Sequence, residues 1–281
     1  MTSWSWPALL VVCEYIRIAR GGRLVSDFPE LRFDVPNSAR IWNYWLGGKD
    51  NYAADREIAD AVLVEYPQIR LISRLMRQFL ARAVRFVAGE AGVDQFLDIG
   101  AGLPTMENTH QVAQRTNPAC HVVYVDHDPM VLAHARVLMA DATPEGATTY
   151  LYADVRDPAA LIDKARGHVD FDRPIAVLLF ALLGNATPDV EDMRSVVRTL
   201  TAAVPSGSYL VVADAIATDG RRPGSSVIGY TLRSMGQIAG CFDGLELVEP
   251  GVVSVPKWRP DCVASSVLEN IPAAGGVARK P

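Results

Sequence analysis

Carboxylates recur where apolar runs end. Gln95 to Thr105 reads QFLDIGAGLPT, His121 to Pro129 reads HVVYVDHDP, and Ala153 to Pro158 reads ADVRDP. Asp98 precedes two glycines, Gly100 and Gly102. Asp126 follows Asp98 by 28 positions, a strand–helix–strand distance, and Asp154 closes the third run. A carboxylate ending a strand accepts hydrogen bonds from ribose hydroxyls, and glycine lets backbone approach a ligand where a Cβ would obstruct. Asp126 is therefore expected to hold a ribose, with His127 beside it and Asp128 and Met130 lining the adenine side. Asp154 is expected to bond an adenine amino group, Val155 to cover the ring, and Phe180 to Leu182 to form the remaining wall. Each residue also has an ordinary reading: glycines follow strands as turn residues, and Asp128 before Pro129 suits a helix cap. Their arrival together at successive strand ends is what favours a ligand.

The ligand's class follows from what is missing. The turn reads Gly100-Ala101-Gly102-Leu103-Pro104-Thr105, without the third glycine of a dinucleotide fingerprint. Glu107 at the next helix start opposes a pyrophosphate, and no phosphate-binding loop exists. Asp98 suits a ligand with an ammonium group and no phosphate. His110, expected at the cavity, and His134, expected on a helix surface, have no metal-ligand spacing. Cys13, Cys120, Cys241 and Cys262 are scattered and read as free thiols. No metal site is expected.

The elements that must position these residues are α/β in pattern. Apolar strands are expected at Gln95–Ile99, His121–Asp126, Thr148–Ala153, Pro174–Phe180, Ser208–Ala213 and Leu245–Glu249. Helices are expected at Glu107–Arg115, Pro129–Met139, Pro158–Ala165, Val190–Ala203 and Tyr230–Ala239. This alternation indicates a mostly parallel sheet covered on both faces. Before it, Ser38 is expected to cap a helix ending at Gly47-Gly48, followed by a helix over Ala53–Tyr66 and a long one from Ile69 to Glu90. The Asp219 to Ser226 stretch reads as a loop. With 49% hydrophobic residues the chain can bury a large core, and a net charge of −5 gives no field for nucleic acid. The basic residues from Arg70 to Arg85 recur among apolar ones at helical spacing, as on one face of an amphipathic helix. The apolar run Trp6 to Cys13 is too short to span a membrane, so a cytoplasmic location is expected. Residues 1–30 read either as an extra helix or as sequence translated from an upstream start.

LDIGAGLPT, VVYVDHDPMVLAHAR, YLYADVRDP and, most specifically, ARIWNYWLGGKDNYAADR resemble the actinobacterial S-adenosyl methyltransferase family, as do GLELVEPGVVSVPKWRPD and the terminal GGVARKP. The likeness runs from Phe33 to Pro281. It implies a Rossmann-like, seven-stranded methyltransferase sheet flanked by helices, with an N-terminal helical cap. The division would be residues 1–92, cap and lead-in helix, and 93–281, the S-adenosylmethionine-binding domain, packed as one unit. By position, Gly100 and Gly102 would approach the methionine portion, Asp126 the ribose and Asp154 the adenine. Arg40, Tyr44, Gly47, Gly48, Lys49, Asn51 and Tyr52 would belong to the cap, with Trp42 and Trp45 anchoring it, and Lys49 and Arg74 would hold a carboxylate. The family usually has His-Phe where this chain has Gly184-Asn185, Ser-His at Asp214-Ala215, and Asn-Arg at Met76-Arg77. For catalysis Asp214 is the first candidate, to orient or deprotonate an acceptor, ahead of Asn185 and Asp189; a capping or salt-link role competes. The function expected is methyl transfer to a small-molecule acceptor, without nucleic-acid or membrane partners, by a monomer or homodimer. Two alternatives are cyclisation of the cofactor's aminobutyryl arm with methylthioadenosine release, and a catalytically silent cofactor-binding protein.

Overall fold

A computed structural model of the protein describes residues 32–104, 107–131, 145–217, 226–227, 229–261 and 271–281. Cys13, His134, Cys262, most of the helix expected over Pro129–Met139 and most of the Asp219–Ser226 loop lie outside the described residues.

The apolar runs form parallel strands β1 (Gln95–Ile99), β2 (His121–Asp126), β3 (Ala147–Tyr152), β4 (Ala176–Phe180) and β5 (Tyr209–Ala215). Helices connect them: α4 (Thr109–Thr116), α5 (Pro158–Ala165), the short α6 (Leu183–Ala186) and α7 (Val190–Ala203). The sheet order is β3-β2-β1-β4-β5-β10-β8, with β9 (Val253–Ser254) also paired to β10. Strand β10 (Ala273–Arg279) runs antiparallel to β5, and β8 (Glu246–Leu247) antiparallel to β10. This is the expected Rossmann-like sheet, mostly parallel and flanked by helices, with eight strands among the described residues where the resemblance implies seven, because the two-residue β9 also pairs with β10.

Ahead of the sheet come α1 (Ser38–Trp45), α2 (Ala53–Glu65) and α3 (Ile69–Arg85), the last running into a wider π turn over Phe86–Glu90. Ile72, Leu75, Met76, Phe79, Leu80, Ala83 and Val84 recur at helical spacing on α3 and are buried. They pack on the sheet face carrying Phe96, Val122, Leu178 and Val211. α1 and α2 share a small apolar cluster of Trp45, Ala59 and Val62, so Trp45 does anchor the cap.

Three local readings are corrected, and one strand is added. The cap of α1 is Asn37, whose side chain accepts from the Ala39 N–H, and not Ser38. α4 starts at Thr109 because Glu107 has φ 56°, a left-handed conformation that interrupts a helix. Tyr230–Thr231 form strand β7, paired with β6 (Ser226–Val227), and the helix there is only α8 (Met235–Ala239), capped by Ser234. The last strand, β10, is a sheet element that its AAGGVAR sequence does not announce. Its glycine is steric: a Cβ on Gly275 would lie 2.8 Å from the Val212 carbonyl and 2.9 Å from the Phe79 ring.

Candidate functional site

A cleft of about 270 Å³ opens at the C-terminal ends of β1, β2, β3 and β4. From β1 the sheet continues to β2 on one side and to β4 on the other. Loops diverge at such a reversal and leave a crevice for a ligand. Gly100 and Ala181, just past β1 and β4, line it, and Ala39, Trp42 and Asn43 of α1 cover it. Gly100 has φ 75° and packs so closely under Leu182 that a Cβ would lie 2.7 Å from Cδ1. Ala181 takes φ 49°, an uncommon conformation for a residue with a Cβ.

Each wall carboxylate has defined partners. Asp98 is buried and accepts from the Thr109 hydroxyl at 2.6 Å. Burial pushes its pKa up to about 6, against the opposing pull of the Thr109 hydrogen bond and the Arg77 guanidinium. Asp126 accepts from the Gly102 N–H and the Asp128 N–H, both at 2.9 Å, one on each oxygen. Burial raises its pKa, and those two N–H groups oppose the rise. Each oxygen keeps a second lone pair for a ligand. Asp128 does cap the following turn, accepting from Met130 N–H at 2.8 Å through Oδ1. Its other oxygen, Oδ2, is buried with no hydrogen-bond partner among the described residues. Asp154 is engaged by Arg156, whose Nε lies 3.0 Å from both oxygens, and that hydrogen bonding lowers its pKa.

The structure brings together Asp98, Gly100, Gly102, Asp126, His127, Asp154, Val155, Phe180 and Asn185 around the cleft. Seven residues expected at the site do not line it. Arg40 is buried in an ion pair with Asp55 at 2.9 Å, holding α1 to α2. Tyr44 donates to Asp60. Gly48 backs onto Asn43, where a Cβ would collide with the amide at 2.3 Å. Lys49 and Arg74 are exposed. Asp189 caps α7, accepting from the Glu191 and Asp192 N–H groups. Asp214 is 1% exposed and accepts from Gly184 N–H at 3.0 Å and Ala215 N–H at 2.9 Å. Burial raises its pKa to about 7, with Arg233 pulling the other way. His110 also lies off the cleft, fully buried with Nδ1 2.9 Å from the Tyr124 hydroxyl.

Among the cleft residues that the sequence reading did not assign to the site are Arg77, Arg156 and Asn43. Arg77 reaches the wall from α3 and donates to the Glu107 carbonyl at 2.7 Å; burial depresses its pKa. Arg156 was signalled only by its Asp-x-Arg spacing from Asp154. Asn43 is 2% exposed and accepts from Asp50 N–H and Asn51 Nδ2, closing the loop after α1. Its signal was the Gly-Gly-Lys-Asp-Asn turn that it pins.

Next to the cleft is a second cavity of about 300 Å³, between the cap and the strand-end segments. Ser38, Trp42 and Asn185 line both spaces. Cys120 and Cys241 are free and buried. Among the described residues no helix is long and apolar enough to cross a membrane.

Comparison with known proteins gives a consistent result. The family described as S-adenosyl methyltransferase matches residues 26–281. A crystal structure of a DUF574-family protein from Streptomyces avermitilis MA-4680 is 42% identical, with TM-score 0.80, covering 89% of this chain and 100% of that one. A putative methyltransferase from Thermobifida fusca YX is 39% identical, with TM-score 0.79, covering 91% and 99%. No match was found among curated proteins.

Proposed function

The chain belongs to the S-adenosyl methyltransferase family, and from that premise we propose that the cleft binds S-adenosylmethionine and that the protein transfers its methyl group to a small-molecule acceptor. The observation that carries the reading is the makeup of the cleft wall. Four carboxylates, Asp98, Asp126, Asp128 and Asp154, line it, and Asp128 Oδ2 is buried without a partner. Even against the guanidiniums of Arg77 and Arg156 in the same wall, the excess of carboxylates disfavours phosphate and favours a cationic nucleoside bearing donor groups.

Asp126 is the ribose ligand in this reading, with lone pairs left over beside its two backbone contacts. Asp98 faces the ammonium end and Arg77 the carboxylate end of the amino-acid portion. That pair replaces Lys49 and Arg74, both exposed on the surface. Val155 covers the adenine, and Asp154, already engaged by Arg156, meets its amino group. Gly100 and Gly102 give the backbone room beside the methionine chain.

When bound, S-adenosylmethionine supplies an electrophilic methyl group together with its leaving group, so the protein's work is alignment and electrostatics. Trp42 of the cap and Leu182 restrict water, and Asn185 orients the acceptor from the boundary between the two cavities. Asp214 acts as a positioning residue: by accepting from Gly184 N–H it fixes α6, and hence Asn185.

Titration calorimetry with S-adenosylhomocysteine tests the cofactor assignment. Saturable binding is expected, with NAD and ATP weaker by about 100-fold or more because their phosphates meet the wall carboxylates. Equal affinity for NAD would overturn it. Methylthioadenosine released without an acceptor would instead favour cyclisation of the aminobutyryl arm.

A further inference from the structure

The second cavity differs chemically from the cleft it adjoins. Ile41, Ile58 and Val62 of the cap face Ala215, Ile216 and Leu232, and aromatic rings complete the wall. Among the described residues that line it there is no Asp, Glu, Lys, Arg or His. A charged molecule there would be desolvated with no counter-charge. At about 300 Å³ the space is at the small end of ligand pockets, which favours a compact occupant.

One polar group in this wall has unmet demand. The Tyr230 hydroxyl is buried with no hydrogen-bond partner among the described residues. Its ring occupies a notch left by a missing side chain: a Cβ on Gly184 would lie 2.3 Å from the Tyr230 ring. The same Gly184 N–H donates to Asp214, so a bare backbone turn, a carboxylate anchor and an aromatic ring form one fitted unit. Buried hydroxyls without a partner are uncommon, and one beside an apolar cavity suits a ligand that supplies the partner.

We infer that this cavity receives the methyl acceptor, and that the acceptor is a neutral, flat, mainly apolar molecule whose single hydroxyl or comparable polar group pairs with the Tyr230 hydroxyl. The assignment as acceptor site rests on the S-adenosylmethionine reading of the neighbouring cleft. Ser38, Trp42 and Asn185, shared by both spaces, mark where acceptor and donor meet. Tyr230 is a recognition residue here, and the aromatic walls offer edge and face contacts to a planar ring.

The test uses the full chain without cofactor, titrated separately with 2-naphthol, naphthalene and 2-naphthoate by calorimetry. The expected order is 2-naphthol tightest, naphthalene weaker, and the anionic 2-naphthoate without measurable binding. Tyr230→Phe should weaken 2-naphthol by about 5- to 10-fold and leave naphthalene unchanged, since only the hydroxyl is lost. Ala215→Leu, which fills the cavity from a residue outside the cleft, should abolish both while S-adenosylhomocysteine affinity stays within about twofold, which also reports folding. No probe binding to the wild-type chain, 2-naphthoate binding as tightly as 2-naphthol, or full 2-naphthol affinity in Ala215→Leu would each overturn the proposal. S-adenosylhomocysteine failing to bind the wild type while 2-naphthol binds would overturn the acceptor role through the cofactor reading, leaving the cavity's ligand class intact.

Discussion

At the residue scale, Asp126 and Asp98 carry the sharpest expectations. Asp126 already holds the Gly102 and Asp128 N–H groups, so Asp126→Ala removes the proposed ribose partner and loosens the turn. S-adenosylhomocysteine affinity should fall by about 1–3 kcal/mol, the cost of a lost polar partner; calorimetry showing wild-type affinity would sink the ribose role. Asp98, with its pKa pushed up to about 6, is protonated in acid and cannot pair with an ammonium group. Cofactor affinity should rise as pH climbs from 5 to 7, and this rise should vanish in Asp98→Asn. Asp214 gives a stability signature. Its folded-state pKa of about 7 exceeds the ordinary 3.8, so the folded state holds the proton more tightly, and stability is lost as pH rises between those values. Asp214→Asn cannot ionise. Its stability relative to wild type should therefore improve from pH 5 to about pH 7 in urea unfolding and level off above that, and a constant difference would contradict the buried titration. Asp98 and Asp126 were legible as cleft-lining residues because a strand end fixes where the backbone goes. Asp214 also ends a strand, yet its carboxylate turns to Gly184 N–H, and residue type and spacing carry no information on that choice.

At the scale of elements, the central parallel strands were readable because they are mainly apolar over five to seven residues and buried on both faces, as β1 and β2 are; the edge strand β3 is only partly buried. β10 was not readable, since AAGGVAR gives neither a long apolar run nor strict alternation. Its Gly275 answers a demand from β5 and α3, which a local reading does not see. Gly275→Ala should destabilise the fold by about 1–3 kcal/mol through overpacking against Val212 and Phe79, measured as a lower urea midpoint; a neutral effect would mean that β10 can shift away from β5. The cap was legible as helices but not in its wiring. Asp55 is fully buried and accepts from Arg40 and from the Asn37 and Tyr52 N–H groups. Asp55→Ala strands the buried Arg40 guanidinium and should cost about 3–5 kcal/mol, with the loss concentrated in α1 and α2.

For the molecule as a whole, the cleft joins parts with very different cores. β1, β2 and β4 are buried in large apolar clusters on both faces, whereas the cluster joining α1 to α2 has only Trp45, Ala59 and Val62 fully inside. Elements with few buried contacts open at lower free energy than the core does, so α1 should exchange its amide protons faster than β1. Yet α1 supplies Ala39, Trp42 and Asn43 to the cleft, and a ligand held between α1 and the strand ends binds only the closed arrangement. A ligand at 100 times its dissociation constant stabilises the binding state by about 2.7 kcal/mol, a factor of about 100. S-adenosylhomocysteine at that excess should slow exchange at the Ile41 and Leu46 amides, which close α1 onto Asn37 and Trp42, by up to that factor. Exchange measured with and without ligand decides it: protection gained at the loops after β1 and β2 but absent from α1 would mean that the cap takes no part in holding the donor.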